Sequence, residues 1–150
     1  MFCVHRADIV RLNEKKPIFE LEVLKDEHLI TAIQGKQRHL RLYPIGILEV
    51  ENMDSFKISE TKGCSTFCTG AIAQGASTCL CVASKKFIFV YEINRTKTRH
   101  KKMKEILCPN NIQFVELQRE RLVVGYASTF AVYSVQGEGS PLCMCSSCSL

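Results

Sequence analysis

The stretch Thr78–Ile93 constrains the fold most. Two apolar runs, Thr78–Ala83 and Phe87–Ile93, are separated only by Ser84-Lys85-Lys86. β-Branched and aromatic residues dominate the second run, and a short polar break between two such runs predicts a β-hairpin. Successive side chains of a strand point to opposite faces. Cys79, Cys81 and Ala83 then share one face and Leu80 and Val82 the other, so both faces of the first strand are apolar. Such a strand must be covered on both sides. A free-standing ribbon is excluded, and the rest of the chain has to supply two covers.

Strand signals of the same kind recur along the chain. Short strands are predicted at Phe2–His5, Ala7–Leu12, Ile18–Leu24, His28–Gln34 and His39–Tyr43, with a weak one at Ser55–Ile58. Turns are predicted at Asn13–Pro17, Lys25–Glu27 and Gly35–Arg38, and a single helical turn over Pro44–Glu51. Within His39–Tyr43 the pattern puts His39, Arg41 and Tyr43 on one face and Leu40 and Leu42 on the other. A second round comprises Cys64–Ala73, the hairpin and, after a basic loop, Met103–Cys108. A third comprises Ile112–Leu117, Arg121–Tyr126 and Thr129–Val135.

The rounds superimpose. Leu29, Leu80 and Leu122 open the second strand of each at spacings of 51 and 42 residues, and Tyr43, Tyr91 and Tyr133 lie near the end of the third at 48 and 42. A repeat of about 40–50 residues holding three or four short strands is the pattern of a β-propeller blade. The alternative, a β-sandwich or open barrel, has no repeat of that length. The expected fold is all-β: a partial β-propeller of about three blades with three to four antiparallel strands each. The blades fall at 1–58, 59–109 and 110–142. The third shows no fourth strand, leaving the middle blade the only complete one, and 143–150 reads as a cysteine-rich disordered tail. Closed propellers have at least four blades, so the chain reads as a truncated fragment.

The charge is localised. Residues 95–104 hold six Lys/Arg and no acid, which against a total of +5 leaves one net negative charge elsewhere. Arg95, Lys97, Arg99, His100, Lys101, Lys102 and Lys104 are therefore the candidate interaction surface. Lysine and arginine near an anionic leaflet contribute about 1 kcal/mol each, whereas base stacking on nucleic acid needs aromatic residues that this segment lacks. No apolar run approaches the roughly 18 residues of a membrane span, and the amino terminus lacks the apolar core of a secretory signal. A reducing, cytoplasmic setting follows, in which Cys3, Cys64, Cys68, Cys79, Cys81 and Cys108 are expected as reduced core thiols.

No catalytic pattern is present. Gly137-Glu138-Gly139 lacks the third glycine and lysine of a phosphate loop, the four histidines are scattered, and no serine sits in a nucleophile elbow. Cys143, Cys145 and Cys148 offer three thiols where structural zinc takes four ligands. No cofactor or metal is expected.

Several runs carry a family resemblance. They are Ser59–Cys64, Thr78–Ala83, Lys97–Lys102 with Lys104-Glu105-Ile106, Arg38–Pro44, Leu122–Tyr126 and Gly137–Pro141. Over residues 3–142 the chain resembles the citron homology (CNH) domain, most of all that of the myotonic-dystrophy-kinase-related Cdc42-binding Ser/Thr kinases. The tail from Cys143 departs from the pattern. The resemblance implies a non-catalytic interaction and localisation module of a Rho-family-GTPase effector kinase acting in actin–myosin cytoskeleton regulation. It implies a Rho-family small GTPase or a cytoskeletal protein as partner, a location at the cell cortex or membrane periphery, and a kinase domain elsewhere in the parent protein. The alternative is a membrane-tethering module that binds anionic lipid through 95–104.

Overall fold

The computed structural model describes residues 16–44, 56–93 and 100–136, together with the backbone of 141–146. The strands of these residues are β1 (Ile18–Leu24), β2 (Leu29–Gln34), β3 (His39–Pro44), β4 (Phe56–Ile58), β5 (Thr66–Ile72) and β6 (Ser77–Ser84), followed by β7 (Phe87–Ile93), β8 (Lys101–Leu107), β9 (Phe114–Gln118), β10 (Arg121–Gly125), β11 (Thr129–Ser134) and β12 (Pro141–Ser146). They form three four-stranded antiparallel sheets, each in sequence order: β1–β4, β5–β8 and β9–β12. Successive four-stranded meanders packed face to face are propeller blades.

The hairpin sits where its two apolar faces require. Leu80 and Val82 pack with Leu40, Leu42 and Ile58 of the first sheet. Cys79, Cys81 and Ala83 pack with Leu122, Val124 and Ala131 of the third. The predicted sidedness of β3 also holds: Leu40 and Leu42 join the first of these clusters, while Tyr43 packs with Ala32 on the opposite face. All three repeat tyrosines are buried, Tyr43 at 2%, Tyr91 at 0% and Tyr133 at 1% exposure. Tyr91 lies opposite Leu80 and Tyr133 opposite Leu122, but Tyr43 lies opposite Ile30, with Leu29 one position off.

Two tight turns show how the meanders close. The pairing Ser84↔Phe87 leaves Lys85-Lys86 as a two-residue loop, and Gln118↔Arg121 leaves Arg119-Glu120. Arg119 and Glu120 both lie in the left-handed region (φ 49° and 64°), the backbone of a type I′ turn that matches strand twist. Asn-Gly is the usual occupant of such a turn. Here the backbone N–H of Ala73 donates to Glu120 Oε1 at 2.7 Å, anchoring the turn to the second sheet.

The first strands of neighbouring sheets run close together. Thr66 and Thr69 hydroxyls of β5 donate to Glu20 (3.0 Å) and Glu22 (2.7 Å) of β1. Between β5 and β9 there is no room for a side chain at Gly70, where a Cβ would come within 2.7 Å of Leu117 Cδ2.

The sequence expectations need correction in three places. The third sheet does have a fourth strand: β12 pairs with β11 through Cys143↔Val132 and Met144↔Ala131, with an irregularity between Val132 and Tyr133. All three sheets are therefore four-stranded, and the third runs to Ser146, past the expected boundary at 142 and into the segment read as a disordered tail. Pro141 opens that strand, where a missing N–H is tolerated, and the change of composition at Cys143 hid a short apolar run. Second, the strand expected at Met103 starts at Lys101, inside the basic segment. Third, β5 starts at Thr66 rather than Cys64. The expectations for Phe2–His5, Ala7–Leu12, most of Asn13–Pro17 and the helical turn beyond Pro44 lie outside the described residues, as do 147–150 of the tail; Pro44 itself ends β3.

The close approach of β5 and β9 makes Gly70→Ala destabilising by about 1–3 kcal/mol, the usual cost of overpacking. In a Leu117→Ala background, which removes the clashing atoms, the same change costs measurably less. Urea unfolding of the four proteins of this cycle checks it, and equal costs in both backgrounds would show that the inner strands do not meet there.

Candidate functional site

The basic segment leads onto the edge of the second sheet. Arg95, Lys97 and Arg99 lie outside the described residues, whereas His100 immediately precedes β8 and Lys101, Lys102 and Lys104 are part of it. The described part is thus a strand rather than a loop. β8 is the outermost strand of its sheet, and lysines on such a strand discourage pairing with foreign edges.

The structure separates these cations. Lys102 and Lys104, two residues apart, would share a face of a regular strand. A register shift between Val90 and Tyr91 pairs Lys104 with Val90 but Lys102 with Tyr91. A bulge of this kind re-aims side chains. Lys102 consequently follows Tyr91 toward the first sheet, and Lys104 follows Val90 toward the third. Lys104 Nζ donates to the Ser134 carbonyl of β11. Burial holds its ammonium below the ordinary lysine value, although the nearby Cys81 and Cys79 act in the opposite sense. Lys101 is exposed.

Around Lys102 the first two sheets meet in a polar cluster. Lys102 Nζ lies 2.9 Å from Glu60 Oε2 and 3.2 Å from Glu105 Oε2, and 5.1 Å from the centre of the Phe89 ring. The Tyr91 hydroxyl donates to Glu60 Oε1. The His100 ring lies 4.9 Å from Phe56 and 5.7 Å from Tyr91, between centroids. Glu60 is presented by the short 3-10 turn Ser59–Thr61. That turn is fixed by Thr61, whose buried hydroxyl donates to the Ile58 carbonyl at 2.5 Å and accepts from Leu40 N–H at 2.9 Å.

The electrostatics of this cluster suit a clamp rather than proton transfer. Burial pushes the Glu60 carboxyl up, but hydrogen bonds from Tyr91 and Lys102 outweigh it and hold the group below its usual value. Burial and the Glu60 carboxylate push the Tyr91 phenol well above its usual value. Burial keeps His100 below the ordinary imidazole value, with Glu60 opposing, and hydrogen bonds to Glu60 and Glu105 raise Lys102. At neutral pH the carboxylate stays ionised, the phenol and imidazole neutral and the ammonium charged. An acid or base poised near neutrality would need values shifted the other way.

The thiols behave as core residues. Cys64, Cys68, Cys79, Cys81 and Cys108 are free and buried. Cys79 and Cys81 Sγ lie 3.7 Å apart on one face of β6. The neighbouring Cys68 and Cys79 thiols, together with burial, push Cys81 well above the usual thiol value. Burial pushes Cys64 up to about 12. Such thiols remain protonated and unreactive. Among the described residues no group of His, Cys, Asp and Glu is arranged to hold a metal ion, and no helix is long and apolar enough to cross a membrane.

Sequence reasoning found the cations of this site but missed Phe56, Glu60, Tyr91 and Glu105. Tyr91 carried a signal as one of the repeat tyrosines, and Glu60 lies in the run Ser59–Cys64; nothing local to either residue indicated that they meet.

Residues 1–146 match the CNH domain family. The chain belongs to that family. This CNH domain is 42% identical over 146 residues to human Serine/threonine-protein kinase MRCK alpha, covering 96% of this chain and 8% of that protein. Against rat MRCK beta the identity is 41% over 140 residues, covering 91% and 8%. Against the Drosophila melanogaster kinase Genghis Khan it is 36% over 143 residues, covering 90% and 9%. The chain therefore spans less than a tenth of these relatives, and its CNH match places it outside their kinase domains. Among solved structures it superposes on the AfRom2 CNH domain with a TM-score of 0.65 at 22% identity, covering 81% of this chain and 39% of that one. It superposes on the RRP9 WD40 repeats with 0.60 at 14%, covering 88% and 39%. These two likenesses establish the propeller fold.

The Tyr91–Glu60 hydrogen bond gives a pH-dependent expectation. A lowered carboxyl contributes stability that is complete above the ordinary value of 4.5 and is lost as pH falls through the lowered native value. In Tyr91→Phe the Glu60 carboxyl returns toward its ordinary value, so its titration, followed by carboxyl-carbon NMR, moves to higher pH. An unchanged titration would show that Tyr91 does not donate to Glu60 in solution.

Proposed function

We propose that this CNH domain is the non-catalytic interaction and localisation module of a Rho-family-GTPase effector Ser/Thr kinase acting in actin–myosin cytoskeleton regulation. Its partner is a Rho-family small GTPase or a cytoskeletal protein, met at the cell cortex. The observation that carries this reading is the match of nearly the whole chain to MRCK kinases at about 42% identity. The rim where the first two sheets meet supports a contact surface of mixed character: exposed Lys101 of β8 and Phe56 of β4 accompany the Glu60–Lys102–Glu105 ion pairs. A polar rim around aromatic anchors is typical of protein interfaces. The lipid-tethering alternative is weaker than the sequence suggested. Lys102 and Lys104, two of the six lysines and arginines of the segment 95–104, are engaged within the chain.

Fluorescence polarisation of purified Rho-family GTPases, loaded with a non-hydrolysable GTP analogue, tests the reading alongside purified actin and myosin filaments in co-sedimentation. Saturable binding to one of them is expected. Phe56→Ala or Lys101→Glu should weaken it by roughly tenfold, the effect of losing one interface anchor, with circular dichroism unchanged. Absence of binding across the panel overturns the proposal. Binding only to anionic vesicles, abolished by charge reversal at Arg95, Lys97 and Arg99, would favour tethering instead.

A further inference from the structure

A second basic site lies away from the β8 rim, on the face of the first sheet that turns from β5–β8. Leu40, Leu42 and Ile58 face the second sheet, so strand alternation sends His39, Arg41 and Lys57 to the opposite side. Register places Arg41 directly opposite Lys57, and His39 opposite Gln34. Like charges facing each other across a ladder are destabilising, yet this face concentrates them.

The turn at the end of β2 adds two more cations. Gly35 N–H donates to the Pro17 carbonyl at 2.9 Å and Gln34 Nε2 to the Lys16 carbonyl at 3.3 Å, which pins Lys16 beside the turn. Gly35 has φ 87°, and a Cβ there would lie 3.3 Å from Lys16 Cδ, so glycine lets the lysine stem cross. Together these elements enclose a cavity of about 260 Å³ whose lining includes Lys16, Lys36, His39, Arg41 and Lys57, with Gln34 at its base. Among the described residues its lining holds no carboxylate and no aromatic ring other than the His39 imidazole. The His39 imidazole is held below its usual value by burial first and then by Lys57 and Arg41, as expected of a positive enclosure.

We propose that this cavity binds a compact, multiply phosphorylated polyol, free in solution or as a lipid headgroup. Several cations converging on one small space call for several negative charges on one small ligand. The exposed Gln37 amide at the wall suits hydroxyl groups between the phosphates. The lining offers no Phe, Tyr or Trp ring as a platform for a nucleotide base, and the volume falls below that of most drug-sized pockets. The site shares no residue with 95–104 and does not depend on the interaction role proposed above.

Isothermal titration of the chain with inositol hexakisphosphate tests the site, with inorganic phosphate as the small-anion arm. Saturable binding is expected that weakens with added salt and exceeds that of inorganic phosphate. Lys36→Gln and Lys57→Gln, both at exposed positions, should each lower affinity by about tenfold, while Lys101→Gln leaves it unchanged. Lys57→Gln should also raise the melting midpoint of the ligand-free chain, because it removes a like-charge pair; a lysine kept for structural reasons would lower it. Co-sedimentation with phosphatidylcholine vesicles with and without phosphoinositide separates the sources. Binding to both the soluble ligand and the phosphoinositide vesicles assigns a headgroup, and soluble binding alone assigns a free polyol. No binding, or binding lost in Lys101→Gln but retained in Lys36→Gln and Lys57→Gln, overturns the proposal.

Discussion

Burial of the middle sheet on both of its faces holds the molecule together. Leu80 and Val82 point into one apolar cluster and Cys79, Cys81 and Ala83 into another, and all five are fully buried. The first and third sheets are thus joined through the second. Full burial of a Leu- or Val-sized side chain stabilises by about 1.5–3 kcal/mol, against about 0.5–1.5 for a typical hydrogen bond. The polar links between sheets, Thr66 and Thr69 to Glu20 and Glu22, and Ala73 to Glu120, therefore set alignment more than adhesion.

That arrangement was legible in the sequence because it rests on period-two patterning, which needs only neighbours along the chain. The two-faced strand and the opposite sides taken by Leu40 and Tyr43 follow from alternation, and the recurrence of the three tyrosines from repeat spacing. What escaped depends on departures from alternation. The bulge between Val90 and Tyr91 parts Lys102 from Lys104, and no residue type there announces it. The fourth strand of the third sheet was hidden because cysteine and methionine beside a Gly/Ser/Pro stretch resemble a change of composition more than a strand. The Glu60–Tyr91–Lys102 cluster joins a turn of one repeat to strands of the next, so it becomes visible only when sheets are stacked.

The same stacking explains why the two basic regions differ in character. On β8, carboxylates from a neighbouring turn and from the strand itself neutralise Lys102, leaving a mixed rim. On the far side of the first sheet, the strand register sets cation against cation around a cavity. Charge counted along the sequence singled out the first region and passed over the second, whose members are spread from Lys16 to Lys57. Proximity in a sheet is a matter of register, and register is invisible to a running count.

The in-order meanders also bear on how such a chain is made. Among the described residues every sheet pairs only strands that are consecutive in sequence, so each can close by short-range contacts, which favours fast formation. A sheet that closes is still unfinished. During synthesis β1–β4 emerges before β5–β8, and its Leu40–Leu42 face waits for β6 and β7 before it is shielded from water. At usual elongation rates that wait lasts several seconds. The nascent first sheet is then an adhesive surface, and the interval before the middle sheet arrives is when chaperones or neighbouring nascent chains compete for it.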